Sequence, residues 1–321
     1  MTVTDLAEAI RRLRAAGCVF AEDEAAVLGE AATDARHLAE LVGRRALGEP
    51  LEQVVGYADF CGVRVRLRPG VFVPRVRSEL LVRTAAAENG GVVVDLCCGS
   101  GALGLALRRQ RPDITLFAAD NDPTAVACAR DNLGSNANQG SINQGNANQV
   151  NVFQGDTNQG GLFQGDTNQG GLFQGDTNQD GIFQGDTNQD VFQGGVFQGD
   201  LFDALPAGLR GRIDILLANV PYVATRHIPL LPPEAREHEP HQALDGGDDG
   251  LDIFRAVVAG ATRWLSPGGL MLSEISAAQT GAAVAAVRAA GLRPGLAEDE
   301  ELDARVVTAR RLEVPEVPPL R

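Results

Sequence analysis

The sequence predicts an α/β protein: a doubly wound sheet, preceded by a small helical domain and interrupted by a repeat. Three observations carry this. From residue 91 onward, short apolar runs alternate with segments of helical spacing, the pattern of a sheet covered on both faces. The first 48 residues carry helical spacing alone. Residues 136–199 repeat in five-residue register.

At the start of the chain, Leu6, Ile10 and Leu13 recur at helical spacing, as do Leu38, Leu41, Val42 and Leu47. Asp34 is placed to cap the second group. Residues 1–60 therefore read as a helical domain. The segment VRVRLRPGVFVP then alternates as a strand or hairpin arm, giving a β linker over 61–83. Its Arg64, Arg66 and Arg68 share one strand face, which suits either a solvated edge or a patch for an acidic partner.

A larger domain spans 84–321. GVVVDL (91–96) reads as a buried strand, and CCGSGALG turns from it into a helix ending near Gln110. ITLFAAD (114–120) is a second strand with an acidic end. The helix DPTAVACARDNL follows, with Pro123 in its first turn, where the missing N–H has no helical partner to lose. GVFQGDLF ends in a third strand and RIDILLANVPY contains a fourth. A helix over 248–265, the strand GGLMLSEI, a helix over 277–291 and two closing strands near 292–297 and 304–312 complete the pattern.

The repeat falls between the second helix and the third strand. Its thirteen units cover 64 residues and hold 14 of the 38 Gly, 6 of the 12 Phe and six Asp, with no basic residue. Two readings stay open. One is a β-solenoid resembling pentapeptide-repeat proteins, in which central residues alternating Phe and Asn stack into a thin core and amide ladders. The other is a structureless Gly/Asn/Gln tract, with one bulky apolar residue per ten to offset backbone entropy. The regularity and the spaced Phe favour the solenoid, and its partner is unassigned. The run closes on FQGD-LFDALP, and FQGD also ends at Asp156, Asp166, Asp176 and Asp186, so the insert reads as an expansion of a strand segment already present.

Composition narrows the function. All 28 basic residues are Arg, which excludes a Schiff-base or P-loop lysine. The net charge is −14, and −8 outside the repeat. A protein that wraps nucleic acid carries a basic face, so no DNA partner is expected. The five cysteines, Cys18, Cys61, Cys97, Cys98 and Cys128, are odd in number and form no CxxC pair. They fit neither a disulfide framework nor a zinc site and point to a reducing cytoplasm, with no metal expected. MTVTDLAEAIRRLR lacks an apolar signal core, and no apolar run reaches membrane length.

The chemistry concentrates at strand ends. Asp95-Leu-Cys-Cys-Gly-Ser-Gly101 is a strand, a glycine turn and a helix, in which Gly99 and Gly101 let the backbone approach a ligand closely. Its D-x-x-x-G-x-G spacing differs from the G-x-G-x-x-G of dinucleotide sites and points to S-adenosylmethionine. Asp120 is placed for ribose hydroxyls and Asp200 for an adenine amine. Cys97, Asn121, Leu201 and Asn219 complete the cofactor neighbourhood. After the fourth strand comes Asn219-Val220-Pro221-Tyr222. It resembles the NPPY motif of methyltransferases that alkylate planar amine and amide nitrogens. An amide nitrogen is a poor nucleophile because its lone pair is delocalised. Accepting both its hydrogens, at the Asn219 side-chain oxygen and the carbonyl of residue 220, orients it toward a methyl sulfonium, while Tyr222 packs on the planar group. His227, His238 and His241 read as surface residues, and Cys97 and Cys98 as packing residues rather than nucleophiles.

With these motifs the chain resembles the protein-(glutamine-N5) methyltransferase family that modifies the Gly-Gly-Gln loop of peptide release factors. GEPLEQVVGYADFCG resembles that family's linker motif, and FVPRVRSELLV its P-R-P-x-T-E segment, keeping Pro74, Arg75 and Glu79. HEPHQALDGGDDGLDIFR resembles its E-P-x-x-A-L-x-G-G-x-D-G-L-D stretch. The resemblance covers nearly everything except the 64-residue insert. It implies a class I S-adenosylmethionine-dependent methyltransferase fold with a Rossmann-like seven-stranded sheet. It also implies a protein substrate presenting a glutamine loop, such as a release factor, and a substrate-binding role for Pro74, Arg75, Glu239 and Pro240.

Two departures stand out. Val220 replaces the family's first motif proline, keeps the backbone carbonyl and is held extended by Pro221. The P-R-P-x-T-E segment is altered to Pro74-Arg75-Val76-Arg77-Ser78-Glu79. With a short helical domain, these suggest a relative with another protein substrate. Two further readings remain: methylation of an RNA or DNA base amine, which calls for a basic groove and a target-recognition module, and a methyltransferase scaffold that carries the repeat as an interaction surface.

Overall fold

A computed structural model describes residues 2–134 and 194–313. The solenoid and structureless readings of the repeat fall, over 136–193, on residues outside the described ones.

The chain opens with four helices, α1 (Val3–Ala15), α2 (Ala21–Ala31), α3 (Ala35–Ala46) and α4 (Leu51–Val55). Thr2 and Asp5 form a capping box at α1, and Asp34 caps α3 by accepting from the His37 N–H at 2.8 Å. Leu13, Leu28, Leu38, Leu41, Val42 and Val54 pack as the bundle core. Leu47, expected on that apolar face, instead follows the last helical turn and is 84% exposed. Arg45 is buried between Glu24, at 2.7 and 3.0 Å, and Glu234, at 2.7 Å, so one cation neutralises carboxylates from distant segments.

Two short strands, β1 (Tyr57–Phe60) and β2 (Val63–Arg66), form an antiparallel hairpin. Two of the three alternating arginines form ion pairs within the chain. Arg64 pairs with Asp59 at 2.9 Å and covers the Tyr57 ring at 4.0 Å, and Arg68 pairs with Asp131 at 2.7 Å.

The rest is the α/β unit: α5 (Glu79–Ala86), β3 (Val92–Leu96), α6 (Ala102–Gln110), β4 (Thr115–Asp120), α7 (Pro123–Leu133), β5 (Gly195–Gln198) and β6 (Ile213–Ala218). There follow α8 (Pro233–His238), α9 (His241–Leu244), α10 (Asp252–Trp264), β7 (Leu265–Glu274), α11 (Thr280–Ala289), β8 (Arg293–Asp299) and β9 (Ala304–Arg310). The seven-stranded sheet runs β5-β4-β3-β6-β7-β9-β8, with β9 antiparallel to both its neighbours. Alternation along the strands splits the core. Val93, Leu116, Ile215 and Leu270 pack against α5 and α6, whereas Val94, Phe117, Leu216 and Met271 pack against α10 and α11. The last repeat unit, 195–199, takes part in this sheet, since Gly195–Gln198 is the edge strand paired with Phe117–Asp120. The short helices α8 and α9 fill a stretch after β6 to which the sequence assigned no helix. Among the described residues, no helix is long and apolar enough to cross a membrane.

Candidate active site

Strands β3 and β6 lie side by side, Leu96 beside Ala218, where the strand order reverses direction. In a doubly wound sheet the crevice opens at that point, beyond the carboxyl ends of the strands. The glycine turn after Leu96 and the Asn219 segment after Ala218 therefore begin as neighbours. A cavity of about 830 Å³ lies there, within the range of small-molecule sites. Gly99, Asp120, Asp200 and Asn219 all line it, from four successive strand ends. Cys97, Asn121, Leu201, Val220, Pro221, Tyr222, Pro74, Arg75 and Pro240 line it too, whereas Asp95, Gly101 and Glu239 do not.

Hydrogen bonds to carboxylates hold the turn. The Gly99 N–H donates to Asp120 Oδ2 at 2.8 Å, and the Asp122 N–H to Asp120 Oδ1 at 3.0 Å. Burial raises the Asp120 pKa. Asp95 lies wholly buried and accepts from the Gly104 N–H at 3.0 Å with one oxygen, while its other oxygen has no partner. Burial pushes its pKa up to about 7. Cys97, Gly99 and Gly101 all adopt positive φ, at 55°, 55° and 75°. The two glycines differ in what they face. A Cβ on Gly99 would meet nothing within 4 Å, whereas one on Gly101 would stand 3.1 Å from Leu133 and 3.3 Å from Ala129. Gly99 is thus open to a ligand, and Gly101 serves close packing of α6 on α7 rather than ligand approach. The Cys97 and Cys98 thiols are pushed well up by burial, which suits packing and not nucleophilic attack.

At the Asn219 segment, Val220 is buried and the Tyr222 hydroxyl donates to Glu274 Oε1 at 2.7 Å. Burial and the Glu274 charge raise the Tyr222 pKa, keeping it a phenol. The glycine-rich stretch seen in the sequence buttresses this segment. A Cβ on Gly250, at φ +78°, would fall 2.3 Å from the Tyr222 carbonyl oxygen. Gln279 Nε2 donates to that same oxygen at 2.8 Å. Asn219 Nδ2 donates to Ser78 Oγ at 3.3 Å, and its Oδ1 is buried without a partner.

Pro74, Arg75 and Pro240 thus share the cavity with the turn, and Glu239 stays outside it. Glu239 differs from the expectation that it faces a substrate, because its carboxylate is enclosed and bound by the Arg75 guanidinium at 2.6 and 2.7 Å. Burial raises its pKa, opposed by Arg75. Among the described residues, no group of three or more His, Cys, Asp or Glu is arranged to hold a metal ion.

The methyltransferase small domain model matches residues 62–157. The release factor glutamine methyltransferase of Geobacter sulfurreducens is 30% identical over 241 residues, 74% of this chain but only 65% of its own length. That of Cereibacter sphaeroides is 32% identical over 267 residues, covering 83% of this chain and 76% of the relative. The chain belongs to the release factor glutamine methyltransferase family. The relative from Streptomyces coelicolor extends the match to 88% of this chain and 87% of its own, at 30% identity. With the seven-stranded sheet, this makes the fold that of a class I S-adenosylmethionine-dependent methyltransferase.

Three residues passed over in the sequence support the cavity, Ser78 in its lining and Asn132 and Glu274 behind it. Asn132, at the end of α7, accepts from the Arg66 N–H and donates to the Arg66 and Ser100 carbonyls, each at 2.9 Å, and so clamps the hairpin to the glycine turn. Ser78 donates to Glu274 at 2.6 Å. The available signals were slight: Ser78 keeps a hydroxyl at the threonine position of the family's P-R-P-x-T-E segment, and Glu274 is a carboxylate ending an apolar strand.

Proposed function

We propose that this chain transfers the methyl group of S-adenosylmethionine to the side-chain amide nitrogen of a glutamine in a protein, a peptide release factor being the first candidate. The reading is carried by Asn219, whose buried, unpartnered Oδ1 belongs to a residue lining the same cavity as Gly99 and Asp120. An unmet buried acceptor costs about 1–3 kcal/mol, which an incoming N–H removes. Asn219 Oδ1 and the Val220 carbonyl take the two amide hydrogens, and Tyr222 supports the planar group.

The residues present fit the cofactor. Asp120 would accept from the ribose hydroxyls and Asp200 from the adenine amine, with Cys97, Gly99, Asn121 and Leu201 lining the same cavity. Asp95 and Gly101 shape the turn from behind. When bound, S-adenosylmethionine would supply an electrophilic methyl on a sulfonium whose leaving group is a neutral thioether, the amide proton passing to solvent. The chain contributes placement and charge complementarity.

Pro74, Arg75 and Pro240 meet the substrate protein, with Glu239 holding Arg75. The helical domain over 1–60 and the linker over 61–83 present that protein to the domain over 84–321. Five free cysteines suit a reducing cytoplasm.

Incubation with methyl-labelled S-adenosylmethionine and a release factor, followed by peptide mapping, tests this. Label is expected on the glutamine of the Gly-Gly-Gln loop, and is expected to vanish in Asn219→Ala at saturating cofactor. Label on nucleic acid, or undiminished label with Asn219→Ala, overturns it.

A further inference from the structure

Asn219 needs its oxygen, not its NH2, free for the substrate amide. The two ends of an asparagine amide have nearly the same shape, so something besides packing must choose between them. Glu274, 2% exposed at the end of β7, is positioned to do so. Its Oε2 accepts from Ser78 Oγ at 2.6 Å and its Oε1 from the Tyr222 hydroxyl at 2.7 Å. Arg77 Nε, 4.0 Å from Oε1, is the positive charge beside the carboxylate.

Glu274 accepts at both of its oxygens, and a serine hydroxyl has only one hydrogen. The Ser78 hydrogen goes to Glu274, so toward Asn219 the Ser78 oxygen acts only as an acceptor. Asn219 must then turn its NH2 to Ser78, as the 3.3 Å contact records, and Oδ1 is left without a protein partner. Were the amide reversed, its NH2 would meet the NH2 of a substrate glutamine, two donors with nothing between them to accept.

We propose that Ser78 and Glu274 are positioning residues that fix the direction of the Asn219 amide, and with it the site's selectivity for a substrate nitrogen that brings hydrogens. The kinetic consequence rests on the glutamine-methylation reading above, whereas the orientation itself does not.

The full-length protein, Ser78→Ala, Ser78→Thr and Glu274→Ala are compared in two measurements. The first is steady-state methylation of a release factor, with the cofactor dissociation constant measured alongside. Loss of one preorganised polar contact at a reacting group lowers kcat about a hundredfold by analogy with oxyanion-hole donors. That loss is expected in Ser78→Ala and Glu274→Ala, with cofactor affinity within about twofold of wild type, a margin well below one factor of ten in binding. Ser78→Thr, which keeps the hydroxyl, restores most of the rate, and the double alanine variant is no slower than Glu274→Ala, because the two act as one relay.

The second measurement is hydrogen exchange at the Asn219 side-chain NH2, identified as the NMR cross-peak missing from Asn219→Ala. It is slow in the wild type and in Ser78→Thr, and faster in Ser78→Ala and Glu274→Ala. Unchanged exchange in both alanine variants overturns the proposal, as does a rate loss that threonine fails to restore. If the wild-type protein methylates no glutamine, the functional reading fails instead, and the exchange comparison still decides the relay.

Discussion

Arg75 Nη2 stands 2.6 and 2.7 Å from the two carboxylate oxygens of Glu239, a residue 164 positions further along the chain. The contact fastens the linker to the loop beyond the Asn219 segment, and the Val73 N–H adds a long third donor at 3.4 Å. Arg75→Ala strands an enclosed carboxylate. Breaking a fully buried pair costs about 3–5 kcal/mol, and because Arg75 is 38% exposed the expected loss is nearer 2–3. Glu239→Gln, which removes the charge rather than stranding it, costs less. Urea denaturation of both variants checks the order; equal losses would refute it.

Asp95 sets a pH dependence. Its pKa rises on folding to about 7, chiefly through burial. In the window between about pH 4 and 7 the folded state keeps a proton that the unfolded chain has lost. Folding takes up that proton, so this group's contribution to stability falls as pH rises, by on the order of 4 kcal/mol across the window. Asp95→Asn cannot titrate. The stability difference between variant and wild type is expected to move in the variant's favour from pH 4.5 to 7.5, a range of roughly the window's width. A difference constant with pH counts against a raised Asp95 pKa.

The two turn glycines predict different defects. Ala at either position bears left-handed strain of about 1–2 kcal/mol. At Gly101 the new methyl also crowds Leu133 and Ala129, so Gly101→Ala loses more stability. At Gly99 the methyl projects into open space, so Gly99→Ala loses more cofactor affinity, on the order of tenfold for a displaced contact. Calorimetric titration with S-adenosylmethionine and denaturation, run on both variants, separate the two.

Asn132→Ala removes three hydrogen bonds to the backbone and leaves their partners unmet. A loss of about 2–3 kcal/mol is expected, together with weaker cofactor binding, because the Ser100 carbonyl belongs to the glycine turn. Asn132→Asp keeps the acceptor but loses both donors, and is expected to be no better. Weakened cofactor binding without lost stability would contradict the clamp.

That Asp120, Asp200 and Asn219 come together at one cavity was legible because each follows a strand of the parallel part of the sheet, and sheet geometry decides which strand ends share a crevice. Turn chemistry likewise exposed Gly99. Ser78 and Asn132 were not legible, since their partners lie 141 and 66 residues away and no periodic pattern names them. The motif marks Glu239 but does not name its partner Arg75, which only the fold brings to it, away from the cavity lining. Leu47 fits a helical face on paper, yet α3 stops just short of it.

The edge strand has one more implication. Val-Phe-Gln-Gly-Asp occurs at both 152–156 and 196–200, and the second copy supplies β5 and Asp200. What distinguishes it is the Leu-Phe-Asp-Ala-Leu that follows at 201–205. The sequence that follows, and not the repeat unit itself, therefore marks which copy serves as the edge strand beside Phe117–Asp120.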